Sequence, residues 1–130
     1  MPSFGKNSER NLETCHTDIQ IILREAIKTI DFSVISGHRG PKEQNEAFIS
    51  GNSKLKYPES KHNGFPSKAV DIVPYPCNYN DLGSFYLLAG YITRVAEEKG
   101  IKIRHGGDWD GDWKTKDQTF NDLGHFEIVT

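Results

Sequence analysis

The sequence predicts a small α+β domain, a mainly antiparallel sheet with helices packed on one face. Three observations predict it. Apolar residues recur at helical spacing in two stretches, Ile19 to Ile30 and Leu82 to Ala96. Short β-branched runs stand apart from them: FSVIS at 32–36, KAVDIV at 68–73 and HFEIV at 125–129. Helices and strands follow one another without the regular βαβ alternation of a parallel sheet.

The elements follow in order. Ser8 and the charged residues after it predict a short helix over 8–14. Thr17, with Gln20 three residues later, has capping-box form ahead of a helix over 18–30. FSVIS is a strand, and Gly37-His38-Arg39-Gly40 turns the chain. Pro41 suits a first helical position, so 42–50 is helical up to Gly51. Residues 52–67 carry Asn, Ser, Lys, Pro and Gly without periodicity and read as a long loop, the kind that is often functional. KAVDIV is a strand stopped by Pro74-Tyr75-Pro76. Asp81 caps a helix that Lys99-Gly100 ends. Residues 101–104 form a strand, 106–122 a second irregular stretch, and HFEIV the last strand.

Composition narrows the function. The 130 residues suit one domain spanning 1–130 with a single core. A hydrophobic share of 35% with 26% charged residues is ordinary for a globular chain, so disorder is not expected. The net charge is -2 and no basic run occurs, so nucleic acid is not expected as a partner, and no apolar run approaches the length of a membrane span, so membrane insertion is not expected. The first 14 residues, MPSFGKNSERNLET, are polar and lack the apolar core of a signal peptide. Cys15 and Cys77, far apart and outside any C-x-x-C pattern, read as reduced thiols.

Strand alternation sorts the polar residues. Val70 and Ile72 share one face of KAVDIV, and Asp71 lies on the other. Phe126 and Ile128 share one face of HFEIV, and His125 and Glu127 lie on the other. If the apolar faces meet the helices, Asp71 and His125 look out of the opposite face, and His62 in the preceding loop can fold back toward them. Two imidazoles and a carboxylate, with a fourth position left for water, are the ligand set of a catalytic zinc site. Other divalent ions also accept nitrogen and oxygen ligands. The competing reading is a surface loop with structural histidines. His16, His38 and His105 have no partners at ligand spacing and read as structural or exposed.

S-K-H at 60–62, Gly64, A-V-D at 69–71 and D-L-G-H at 122–125 resemble the zinc peptidases that include the VanX/VanY-type D-alanyl-D-alanine dipeptidases and carboxypeptidases. FGKNSERNL near the start, S-G-H-R at 36–39 with Gln44, and GGDW at 106–109 are similar to one branch, the phage L-alanyl-D-glutamate endopeptidases that act as endolysins. The resemblance spans nearly the whole chain. It implies a hedgehog/D,D-peptidase-like fold with one zinc per chain on His62, Asp71 and His125. It also implies Asp122 as general base, Arg39 as the cation at the polarised carbonyl, and Ser60 at the substrate. Asp108 and Trp109 are further substrate candidates, Trp109 with Trp113 either walling the cleft or packing in the core or loop.

Two departures stand out. Eight residues, NGFPSKAV, separate His62 from Asp71 where the family pattern has six, which places an insertion around Phe65-Pro66. The residue at 122 is Asp, as in the endolysin branch, where the dipeptidases have Glu. Glu127 is a rival base, or else a partner that orients a ligand. Asp108, Asp110, Asp112 and Asp117 make the 108–117 loop a candidate for regulatory calcium, an idea the resemblance keeps open.

The resemblance therefore implies hydrolysis of peptidoglycan stem peptides at the L-Ala-D-Glu bond during host lysis. The enzyme would be a monomer, made in the host cytoplasm and released to the periplasm and cell wall by a separate holin. A D-alanyl-D-alanine carboxypeptidase on the same scaffold and a non-catalytic peptidoglycan-binding module are the alternatives.

Overall fold

The structure is a computed structural model that describes residues 2–51, 53–106 and 122–129, with Asp122 described by its backbone only. Four helices and four strands are built from them: α1 (Lys6–Glu13), α2 (Thr17–Ala26), β1 (Phe32–Ser36), α3 (Pro41–Ile49), β2 (Ala69–Pro74), α4 (Leu82–Glu98), β3 (Ile103–Gly106) and β4 (Asp122–Ile128). A single 3-10 turn, Lys61–Asn63, interrupts the long loop before β2.

The strands form one antiparallel sheet in the order β1-β2-β4-β3. Val70, Ile72, Phe126 and Ile128 join Ile19, Ile22, Leu23, Leu88, Ile92 and Val95 in one buried core. α4 packs across β2, β3 and β4, α2 packs beside α4, and α1 covers β1. Period-two alternation in the strands and the helical apolar stripes thus meet on one side of the sheet. The other side holds Asp71, His125 and Glu127, with the 3-10 turn lying against β2.

Local details depart from the sequence expectations. The first helix begins at Lys6, and Ser8 is not its cap but a buried residue whose hydroxyl accepts from the Val34 amide at 3.0 Å. His16, not Thr17, caps α2, its Nδ1 accepting from the Asp18 amide at 3.0 Å, and the Gln20 amide turns back to the Cys15 carbonyl. α2 ends at Ala26 instead of Ile30, yet Ile27 is still buried. Apolar spacing demanded burial there, and a turn satisfies that as well as a helix does. Asp81 caps α4, and Gly51 and Gly100 follow the ends of α3 and α4 as expected. β4 begins three residues earlier than expected, at Asp122. Cys15 is buried and Cys77 exposed, both as free thiols.

Two irregularities shape the sheet near its polar face. Between Val34 and Ser36 the pairing with β2 slips by one residue, so that Ser36 sits opposite Asp71 and Gly37 follows it directly. Such bulges bend a strand and re-aim what comes next. In β4 the register with β3 shifts between His105, opposite Phe126, and Gly106, opposite Asp122. Gly124 lies inside that shift. A Cβ there would collide with the Ile72 carbonyl oxygen, so the close approach of β4 to β2 requires glycine.

Candidate metal centre

Asp71 and His125 are register partners across β2 and β4, and His62 reaches them from the 3-10 turn. One ligand atom from each of the three lies within 4.8 Å of the others. Each is positioned locally. Ser60 caps the turn that carries His62, its Oγ accepting from the His62 amide at 3.1 Å, and the Asn63 side chain accepts from the Ser60 amide. The Arg39 amide donates to the His62 carbonyl at 2.8 Å, tying the 37–39 segment to the same turn.

Hydrogen-bonding partners decide which nitrogens face inward. His62 is fully buried, and its Nδ1 lies 2.6 Å from the Gly37 carbonyl oxygen, which only accepts. Nδ1 therefore carries the proton, and Nε2 of the neutral ring holds a lone pair. That Nε2 has no hydrogen-bond partner among the described residues and lies 3.3 Å from Asp71 Oδ1. His125 Nε2 lies 2.8 Å from Glu127 Oε1, and its Nδ1 lies 3.1 Å from Asp71 Oδ1. A buried lone pair aimed at a carboxylate oxygen is costly unless a cation lies between them. The donor set fits such a cation. A tetrahedral ion with bonds of about 2.0–2.1 Å needs ligand atoms roughly 3.3 Å apart, close to the 3.3 and 3.1 Å separations observed.

The charges around the cluster are arranged to suit. Burial acts to raise the Asp71 carboxyl, but in the metal-free protein His125 and His62 rings that carry a proton toward it outweigh burial through hydrogen bonds and charge and hold it well below the usual carboxylate range. Arg39 Nη2 lies 3.5 Å from Asp71 Oδ2, and its buried Nε has no hydrogen-bond partner among the described residues. Glu127 is likewise held low, at about 2; burial opposes this, and the His125 and Arg104 interactions outweigh burial.

Of the residues singled out in the sequence, His62, Asp71, His125 and Arg39 come together, and Ser60 caps the turn that carries His62. Asp122 opens β4 three residues before His125, with its side chain outside the described residues. Asp108 and Trp109 also lie outside them, as does the whole 108–117 loop proposed for calcium. Among the described residues, the group able to hold a metal is His62, Asp71 and His125. His16 is a helix cap, His38 Nδ1 meets the Gly64 carbonyl at 2.8 Å, and the buried His105 ring meets the Leu123 carbonyl at 2.7 Å.

Sequence reasoning missed several contributors. The Gly37 carbonyl fixes the His62 tautomer. Lys61 and Arg104 converge on Glu127 Oε2 at 3.3 and 2.7 Å. Arg104 is the register partner of Glu127, a signal that exists only once the strands are paired.

Comparison with known proteins agrees with this geometry. The chain belongs to the phage L-alanyl-D-glutamate peptidase family, which it matches over residues 2–129. It is 35% identical over 136 residues to the L-alanyl-D-glutamate peptidase of Escherichia phage T5, covering 97% of each chain. Its fold is similar to that of the Serratia marcescens L-Ala D-Glu endopeptidase ChiX, with a TM-score of 0.74 and 26% identity, covering 98% of this chain and 90% of that one. No helix among the described residues is long and apolar enough to cross a membrane.

Proposed function

We propose that this chain is a zinc-dependent L-alanyl-D-glutamate peptidase that cuts peptidoglycan stem peptides as a phage endolysin. The observation that carries the reading is the convergence of His62, Asp71 and His125, with an orphaned buried Nε2, in a chain of this peptidase family. Three nitrogen and oxygen ligands among the described residues, one short of a closed tetrahedral set, favour a catalytic zinc site over a closed structural one.

When bound, zinc lowers the pKa of a water molecule and polarises the scissile carbonyl. The chain's own residues do the rest. Asp122 takes the proton of the attacking water and passes it to the leaving amine. Arg39, facing Asp71 from the segment after β1, holds a fixed positive charge for the developing oxyanion. Asp71 offers Oδ1 as the anionic ligand, its Oδ2 lying 3.5 Å from Arg39 Nη2. Ser60, Asp108 and Trp109 are assigned to the substrate. The single domain works as a monomer on the cell wall after release from the cytoplasm.

The test is mass spectrometry of Gram-negative peptidoglycan digested with and without a zinc chelator. Chelator-sensitive products with a newly freed D-Glu amino terminus are expected. Release of terminal D-Ala would instead assign a D-alanyl-D-alanine carboxypeptidase. Zinc binding with no cleavage, calcium being supplied, would leave a peptidoglycan-binding module.

A further inference from the structure

Glu127 stands outside the ligand set, yet it is among the most buried charged groups near it, with a side chain 9% exposed. Its two oxygens have different partners. Oε1 meets His125 Nε2 at 2.8 Å. Oε2 meets Arg104 Nη2 at 2.7 Å and Lys61 Nζ at 3.3 Å. Lys61 precedes His62 directly and also donates to the Ile128 carbonyl at 2.6 Å. One carboxylate thus links the turn that carries His62 to the strand that carries His125.

We infer that Glu127 is a positioning residue for the metal centre: it takes the Nε2 proton of His125 on Oε1 while Arg104 and Lys61 hold Oε2, so that Nδ1 is the nitrogen presented beside Asp71. This rests on the metal-site reading above. An ionised carboxylate only accepts, so a short contact to it assigns the proton to Nε2. A carboxylate behind a ligating imidazole fixes the ring's tautomer and orientation and raises its basicity. The two cations keep Glu127 from turning its other oxygen, or itself, away from the ring.

The arrangement makes Glu127→Gln informative although it is isosteric. Facing Arg104 and Lys61, the amide would set donor against donor unless it turned its oxygen to them. Its NH2 would then face His125 Nε2 and demand a bare nitrogen there. The proton moves to Nδ1, the atom meant for the metal.

The experiment uses the full chain with cadmium or zinc as the probe. Nitrogen NMR of cadmium-loaded wild type should show coupling to the metal at His125 Nδ1 and a proton on Nε2. Chelator competition should show zinc affinity falling about 10–100-fold in Glu127→Gln, the range for loss of such a partner. Coupling through His125 Nε2 in the wild type overturns the inference, and this measurement stands even if the variant does not fold. Undiminished zinc affinity in a folded Glu127→Gln also overturns it, while leaving the metal site itself intact. A wild type that binds neither ion removes the metal site and this role together.

Discussion

Asp71 and His125 sit directly opposite each other on β2 and β4, with Asp71 Oδ1 3.1 Å from His125 Nδ1. Asp71 Oδ1 is also the oxygen that His62 Nε2 approaches, at 3.3 Å. One carboxylate oxygen is therefore the meeting point of two imidazoles from separate segments. Losing any of the three should disperse the site.

His62→Ala and His125→Ala should each abolish stoichiometric zinc, read by elemental analysis after desalting. The wild type should be stabilised by zinc, because an ion that binds only the folded state adds about 2.7 kcal/mol when free zinc is 100 times its Kd. A chelator should lower the melting temperature of wild type and leave both variants unmoved. Undiminished zinc on His125→Ala would remove it from the ligand set.

Asp122→Ala should fold, keep its zinc and lose activity by about 10²–10⁴-fold, the usual contribution of a general base. Zinc content and circular dichroism check the first two, turnover on peptidoglycan the third. Unchanged turnover would leave Glu127 as the base to examine.

Acid should destabilise the metal-free protein in a defined window. The carboxyls of Asp71 and Glu127 are held below their unfolded values, so between the two values the unfolded chain binds more protons. The stability Glu127 contributes is fully present above its ordinary value of 4.5 and is lost as pH falls through about 2. Urea midpoints measured from neutral pH downward should separate wild type from Glu127→Gln at neutral pH and converge toward the acid end. Curves that run parallel throughout would contradict the interaction.

Gly124→Ala should cost about 1–3 kcal/mol, the range for forcing a group into packed structure. Its Cβ would strike the Ile72 carbonyl, which is backbone within the central strand and has little room to yield. Because His125 is the next residue, weaker zinc binding should accompany the loss. Equilibrium denaturation and chelator competition on the same preparation would show whether the two effects travel together.

Much of this was legible from the residues alone. Strand alternation placed Asp71 and His125 on the face away from the core, because successive side chains on a strand must point to opposite sides. Apolar spacing located α2 and α4, though it ran α2 past Ala26 to Ile30. The D-L-G-H spacing carried the family resemblance, but not the reason for its glycine, which lies in the carbonyl of Ile72 on another strand.

The sequence by itself determined the α+β class, the strand faces and the identity of the ligand candidates, since these follow from local periodicity and residue chemistry. Only the tertiary structure decided the register that sets Asp71 against His125, the Gly37 carbonyl that leaves His62 Nε2 bare, and the Lys61 and Arg104 contacts that hold Glu127. Those partners are 54, 25, 66 and 23 residues apart in the chain. No local pattern encodes such pairings, which arise when the hydrophobic core fixes how the strands align.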